Sequence, residues 1–319
     1  MKILIADSFP PDHQQSLKDL GHELTIQPDL DVNSLPSAIA DNEILIVRST
    51  EVTADTLGSA KHLKLVIRAG AGTNTIDKPK AAELGIKVCN VPGANSVAVA
   101  ELVMGLIISI DRNIPDNVTD LNNEVWNKKK FSSARGLFGQ KLGILGLGSI
   151  GFAVAERARA FGMEVFALAK TDRNAETEKR ITATGITQLD TLDELLAQSD
   201  IVTLHLPSTN ETKNLVSKSF LDKMKDGATL INTARGDLID DTALLEAINS
   251  KGIRAGLDVY NNEPGTGNGK FVSDIACHPS VCGTHHIGAS TEQAQVAVAD
   301  GVLAVIAAFE KGEIKNCVN

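Results

Sequence analysis

Three residues with useful chemistry each stand just after a short apolar run. Arg235 closes Leu230-Ile231-Asn232-Thr233-Ala234-Arg235 and is followed by Gly236 and Asp237. Glu263 lies near the end of Gly256-Leu257-Asp258-Val259-Tyr260-Asn261-Asn262-Glu263-Pro264. His286 follows Gly283-Thr284-His285 and precedes Ile287-Gly288-Ala289-Ser290. Open α/β sheets place their sites where polar residues follow strands. A guanidinium there can grip a carboxylate through paired hydrogen bonds, and an imidazole can pass a proton near neutral pH. Each residue also has an ordinary reading: Arg235 as an ion-pair partner of Asp237, Glu263 as a loop charge, His286 as a capping or core histidine.

A second signal is Lys141-Leu142-Gly143-Ile144-Leu145-Gly146-Leu147-Gly148-Ser149-Ile150-Gly151. The glycine triad means little alone, but here it follows an apolar strand and opens a helix reaching to Phe161. Gly146 permits a tight turn, Gly148 lets backbone approach a pyrophosphate, and Gly151 lets helix pack close on strand. The helix start at Ser149 and Ile150 offers free N–H groups to phosphates. A bound dinucleotide is expected.

The elements that must position these groups alternate along the chain. Residues 3–5, 44–47, 65–67, 87–89, 142–145, 165–168, 201–204, 229–231 and 256–259 read as strands. Helix-like segments 12–20, 80–84, 153–161 and 242–249 lie between them, closed by Gly21, Gly85, Gly162 and Gly252, each placed to take the left-handed conformation that ends a helix. Repeated strand–helix–strand units imply α/β domains with parallel sheets. The similar stretches 81–88 and 159–165 suit two domains of like design. Residues 95–112 are the candidate connection, and the helical segment 290–311 could return onto the first domain. Strand counting does not separate that discontinuous arrangement from two successive domains.

Composition narrows the function. With 319 residues there is room for two domains. Only 3% of residues are aromatic, so Val, Ile, Leu and Ala must build the core, as buried parallel strands require. A net charge of −9 argues against a nucleic-acid surface. The N-terminus lacks a signal-peptide pattern, and the apolar segment 97–110 is interrupted by Glu101 and too short to span a bilayer. A soluble, cytoplasmic protein without membrane partners is expected, its four cysteines reduced. Cys277, His278, Cys282, His285 and His286 invite a zinc reading, but no paired Cys-x-x-Cys is present, so no metal site is expected.

Taken together, these segments resemble the D-isomer-specific 2-hydroxyacid dehydrogenases, most closely their 3-phosphoglycerate dehydrogenase branch. Val47-Arg48-Ser49-Thr50, Arg68-Ala69-Gly70-Ala71-Gly72-Thr73-Asn74-Thr75-Ile76-Asp77, Asn95-Ser96 and Ala100-Glu101 add to the likeness, which covers nearly the whole chain. The resemblance implies a flavodoxin-like substrate domain, residues 1–94 with 286–319, and a Rossmann nucleotide-binding domain, residues 95–285, carrying a dimerisation helix. It implies hydride transfer between a nicotinamide cofactor and a 2-hydroxy acid/2-oxo acid pair. Arg235 would bind the substrate carboxylate and polarise the oxo group, and His286 would be the general acid or base. Glu263 would fix the tautomer of His286 and favour its protonated form. Ala71, Gly72 and Arg48 would serve the substrate; Thr233, Ala234 and Asp258 would lie by the cofactor. His285 stands where the family usually has proline. Alternatives are a formate- or phosphite-type dehydrogenase, or a cofactor-sensing binding protein of the same fold. Long phosphoglycerate dehydrogenases carry a further regulatory domain for which this chain has no room, so serine feedback is not expected.

Three finer expectations follow. The strand before Ala169 does not end in the acid that would bind both ribose hydroxyls, and Lys170, Thr171 and Arg173 follow it, so NADP is expected ahead of NAD, with Asp172 as the complication. Glu51 stands where phosphoglycerate dehydrogenases often have a basic residue, favouring glyoxylate or hydroxypyruvate over a phosphorylated acid, although Arg48 could still serve a phosphate. Residues 97–110 are apolar around much of the helix, and with the arm containing Trp126 they suggest a homodimer.

Overall fold

The computed structural model describes residues 1–264 and 269–319. Runs of Ile, Leu and Val form parallel strands, the central ones buried on both faces, in two units described separately: Met1–Ala98 with Ala289–Asn319, and Val99–Gly288. The first unit holds β1 (Lys2–Ile5), β2 (Glu23–Ile26), β3 (Ile44–Val47), β4 (Leu65–Arg68) and β5 (Lys87–Asn90), in the order β2-β1-β3-β4-β5. Ile3, Ile5, Ile44, Ile46, Leu65 and Ile67 fill one face of this sheet. The helix Glu292–Glu310 packs there through Ala299, Val302, Val305 and Ile306. It is long and apolar enough to cross a membrane by length and composition, but that stripe is spent on the core.

The second unit holds β6 (Lys141–Leu145), β7 (Glu164–Leu168), β8 (Ile186–Leu189), β9 (Ile201–Leu204), β10 (Thr229–Asn232), β11 (Arg254–Leu257) and β12 (Val281–Gly283). Their order is β12-β11-β10-β9-β6-β7-β8. The chain reverses direction across the sheet between β6 and β9, which is the Rossmann switch point. The first unit has the corresponding flavodoxin-like order.

The expected junctions at 94/95 and 285/286 differ from the observed ones at 98/99 and 288/289. Gly288 stays with the second unit because its N–H donates to Asp258 Oδ2 at 2.9 Å. The segment read as strand 256–259 is Arg254–Leu257, and β2, β8 and β12 went unread. All three lie at sheet edges, where one side meets solvent and polar residues break the apolar run.

Helix Ser96–Arg112 also departs from expectation. Val99, Val103, Leu106, Ile107 and Ile110 are buried within the chain itself, while Val97 is exposed. Gly256 on β11 explains the close packing: a methyl there would meet Ile110 and Leu106 of this helix. The apolar circumference therefore serves mainly the chain's own core. Uncovered apolar groups lie further on, in helix Ile114–Asn122 and the arm after it.

Candidate active site

The phosphate turn forms as the glycines dictate. β6 ends at Leu145, Gly146 takes φ +105°, and helix Ser149–Ala160 starts immediately after Gly148. A side chain on Gly146 would run into the His205 carbonyl at the end of β9, and one on Gly151 into the Gly146 carbonyl. Gly148, by contrast, faces open space. Among the described residues no side chain caps the helix N-terminus, so the N–H groups of its first turn stay available to an anion. At the end of β10 the buried Thr233 hydroxyl has no hydrogen-bond partner among the described residues, an unmet polar group of the kind a ligand satisfies. This cradle at the switch point fits the phosphates of a dinucleotide.

Past β7, Lys170, Thr171 and Asp172 are exposed, and Lys170 makes no hydrogen bond or ion pair among the described residues. Arg173 is different. Its guanidinium donates to the Leu168 carbonyl (2.6 Å) and to Gln188 Oε1 (2.5 Å) and lies 3.8 Å from Glu178. It is thus tied to the sheet end rather than left free for a phosphate.

Arg235, Glu263 and His286 all belong to the second unit, at the ends of β10, β11 and β12. The 232–235 turn is fixed by Asn232, fully buried, whose Nδ2 donates to the Arg235 carbonyl (2.7 Å) and whose Oδ1 accepts from Ala234 N–H (3.0 Å). Arg235 donates to the Ala234 carbonyl and enters no ion pair with Asp237 among the described residues. Gly236 lets the Tyr260–Asn261 backbone pack against it, which brings the Glu263 loop up to the Arg235 turn.

Glu263 uses both oxygens. Oε2 accepts from His286 Nδ1 at 2.7 Å and Oε1 from Tyr260 N–H at 2.8 Å. Burial by itself would raise this carboxyl; the hydrogen bonds from His286 and Tyr260 and the charges of His286 and Arg235 outweigh it and hold the pKa below the ordinary value. His286 adopts φ +52°, a conformation that L-residues rarely take, and its side chain is 51% exposed, so the imidazole stays open to a substrate. His285 is exposed and makes no hydrogen bond among the described residues.

Asp258 is 1% exposed, and its carboxylate accepts from Thr284 Oγ1 (2.6 Å), Ile287 N–H (2.8 Å) and Gly288 N–H (2.9 Å). Its carbonyl takes the His286 N–H (2.8 Å). Expected beside the cofactor, it fastens the histidine loop onto the end of β11. In the first unit, Arg48 follows β3 and its N–H donates to Asp7 Oδ2 (2.6 Å), as do those of Ser49 and Thr50 (each 3.2 Å). Ala71 and Gly72 follow β4, and the Ala71 carbonyl accepts from Asn90 Nδ2 at 2.6 Å. Asn232, Asp7 and Asn90 were not singled out from sequence; a polar residue next to an apolar strand was their one signal.

A Rossmann sheet with an open glycine cradle at its switch point, and a hydrogen-bonded acid–imidazole pair at its strand ends, defines a dinucleotide-dependent oxidoreductase fold. The chain belongs to the D-isomer specific 2-hydroxyacid dehydrogenase family, whose NAD binding domain profile matches residues 104–288. It is 38% identical, over its full length, to the D-3-phosphoglycerate dehydrogenase of Methanocaldococcus jannaschii, spanning 59% of that relative. It is 41% identical to the hydroxypyruvate reductase of Thermotoga maritima over 83% of this chain and 84% of that one. Among solved structures, a glyoxylate reductase from Paecilomyes thermophila superposes with a TM-score of 0.86 at 30% identity, covering 100% of this chain and 98% of the other.

Proposed function

We propose that this protein interconverts a small D-2-hydroxy acid and its 2-oxo acid, with Arg235, Glu263 and His286 as its working residues. The observation that carries the reading is the 2.7 Å His286–Glu263 pair on a left-handed backbone, at the strand ends of a dinucleotide-binding sheet. The bound nicotinamide supplies or accepts the hydride at the substrate's C2. In the reductive direction Arg235 binds the carboxylate and draws electron density from the neighbouring carbonyl. His286, its Nδ1–H donated to Glu263, gives the proton on Nε2 to the carbonyl oxygen, and the alcohol leaves neutral. In oxidation Nε2 takes that proton back. Gly146, Gly148, Ser149, Ile150 and Gly151 are assigned to the pyrophosphate; Thr233 and Ala234 border the cofactor. In the first unit, Arg48, Ala71 and Gly72 are assigned to the substrate.

NADP is proposed ahead of NAD, on the exposed Lys170 and the absence of an acid at the end of β7. The substrate is proposed to be unphosphorylated, glyoxylate or hydroxypyruvate, because the exposed Glu51 opposes a phosphate. A cytoplasmic homodimer is part of the same proposal. The test is steady-state oxidation of NADPH and NADH with a panel of oxo acids, formate and phosphite serving as reverse-direction controls. His286→Ala should lower turnover roughly 10²–10⁴-fold with dinucleotide affinity nearly unchanged, and His285→Ala should be far milder. Equal losses in the two variants, or no turnover of any oxo acid, would sink the assignment. A specificity constant at least roughly tenfold higher for phosphohydroxypyruvate would defeat the substrate choice.

A further inference from the structure

Two cysteines that the proposed chemistry leaves unused face each other in the first unit. Residues 315–319 run antiparallel to β5, an edge strand of the five-stranded sheet. Asn90 N–H donates to the Asn316 carbonyl (3.2 Å) and Val318 N–H to the Val88 carbonyl (2.9 Å). These two bonds flank Cys89 and Cys317, which are therefore a directly opposed, non-hydrogen-bonded pair. In such a pair the α-carbons lie about 4.5 Å apart and the side chains leave the same face of the ladder. A disulfide bridges α-carbons about 4.4–6.8 Å apart, so little backbone movement is needed.

The register is held on both sides. Asn319 accepts from Val88 N–H through Oδ1 (2.8 Å) and donates to the Ile86 carbonyl through Nδ2 (2.8 Å), and Asn316 Nδ2 donates to the Asn90 carbonyl (3.2 Å). Cys89 is 1% exposed and packs in the core, whereas Cys317 is exposed. Burial, joined by the adjoining Cys317 thiol, pushes the Cys89 thiol up to about 12. Cys89 is thus a poor first nucleophile, and attack falls to Cys317.

We propose that Cys89 and Cys317 form a dithiol that a small disulfide such as oxidised glutathione converts to a cross-strand disulfide, locking residues 315–319 onto the edge of the sheet. Cys317, as thiolate, attacks one sulfur of the oxidant, forming a mixed disulfide and releasing one glutathione thiolate. Cys89 gives up its proton as its sulfur attacks Cys317 and displaces the second glutathione. Two protein thiols are oxidised, and one disulfide is reduced to two thiols. In a reducing compartment the pair rests as thiols. The lock adjoins Asn90, whose side chain holds the Ala71 carbonyl.

The experiment incubates the protein with oxidised glutathione, alkylates the remaining thiols and maps peptides without reduction. A Cys89–Cys317 linked peptide is expected, lighter by two hydrogens, while exposed Cys277 carries glutathione. In Cys89→Ser, Cys317 should instead keep its glutathione; in Cys317→Ser, Cys89 should stay reduced. The thermal midpoint of oxidised wild type should rise by several degrees and fall back with reductant, with no such shift in Cys317→Ser. If the buried Cys89→Ser variant fails to fold, the linked peptide and the midpoint shift in wild type against Cys317→Ser decide alone. The proposal is overturned if Cys277 reacts while Cys89 and Cys317 stay reduced. It is also overturned if Cys317 carries glutathione equally in wild type and Cys89→Ser.

Discussion

At φ +52° His286 sits in backbone strain that neighbouring groups must hold, and Asp258 and Glu263 do so from two directions. Glu263 is the partner whose ionisation is tuned. Its folded pKa lies below the ordinary carboxyl value, so it stabilises the fold at neutral pH, and that contribution is lost as pH falls through the folded value. The stability gap between wild type and Glu263→Gln should therefore be widest near neutrality and close through the acid range. Chemical denaturation at several pH values measures it, and a gap that grows on acidification would contradict the pairing. The places of Arg235, Glu263 and His286 after β10, β11 and β12 were legible in the sequence because each follows a short apolar run. Asn232, Asp7 and Asn90 were not, because their work is to meet particular backbone groups, and spacing along the chain does not encode which carbonyl or N–H comes near.

Among the elements, the central strands and the edge strand β5 were readable, while the edge strands β2, β8 and β12 were not. β9, Ile201–Leu204, is buried throughout and reads as an unbroken apolar run. β8, Ile186–Leu189, exposes Thr187 and Gln188 and reads as loop. The loops after the strands carry the candidate site residues and the groups that hold them. Asp258 joins β11 to the histidine loop with three donors on one buried carboxylate, so Asp258→Ala should cost about 2–4 kcal/mol, the scale for leaving buried donors without a charged acceptor. Urea unfolding measures it, and a loss within the range of an ordinary surface substitution would mean that other contacts hold the loop. After β7, the free Lys170 and the tied Arg173 should respond differently. Lys170→Ala is expected to lower the NADPH-to-NADH ratio of specificity constants roughly tenfold, as loss of a charged hydrogen bond would. Arg173→Ala should weaken both cofactors, because it also unties the loop from Leu168 and Gln188. A wild type that prefers NADH, or an unchanged ratio in Lys170→Ala, would refute the NADP reading.

For the whole molecule the open question is what covers helix Ile114–Asn122. Ile114, Val118 and Leu121 recur at helical spacing, all are exposed, no residue of this helix is buried, and Val125 just beyond it is exposed as well. A two-and-a-half-turn helix does not hold itself in water on propensity alone; its apolar stripe needs a surface to pack on. Trp126, 81% exposed, extends the same patch. The sequence pointed to a homodimer through residues 97–110 together with the arm containing Trp126; helix Ser96–Arg112 spends most of its apolar groups inside the chain, which leaves the arm as the uncovered apolar surface. Because Trp126 is the sole tryptophan, its fluorescence reports on this surface directly. At micromolar concentration the emission should be shifted to the blue and the mass by light scattering should be that of two chains. Dilution, or Leu121→Asp, should move emission to the red together with a fall to one chain, while the far-ultraviolet circular dichroism outside the arm is retained. A monomeric mass with the red emission of a fully hydrated indole at every concentration would refute the dimer. It would leave the arm to a different partner.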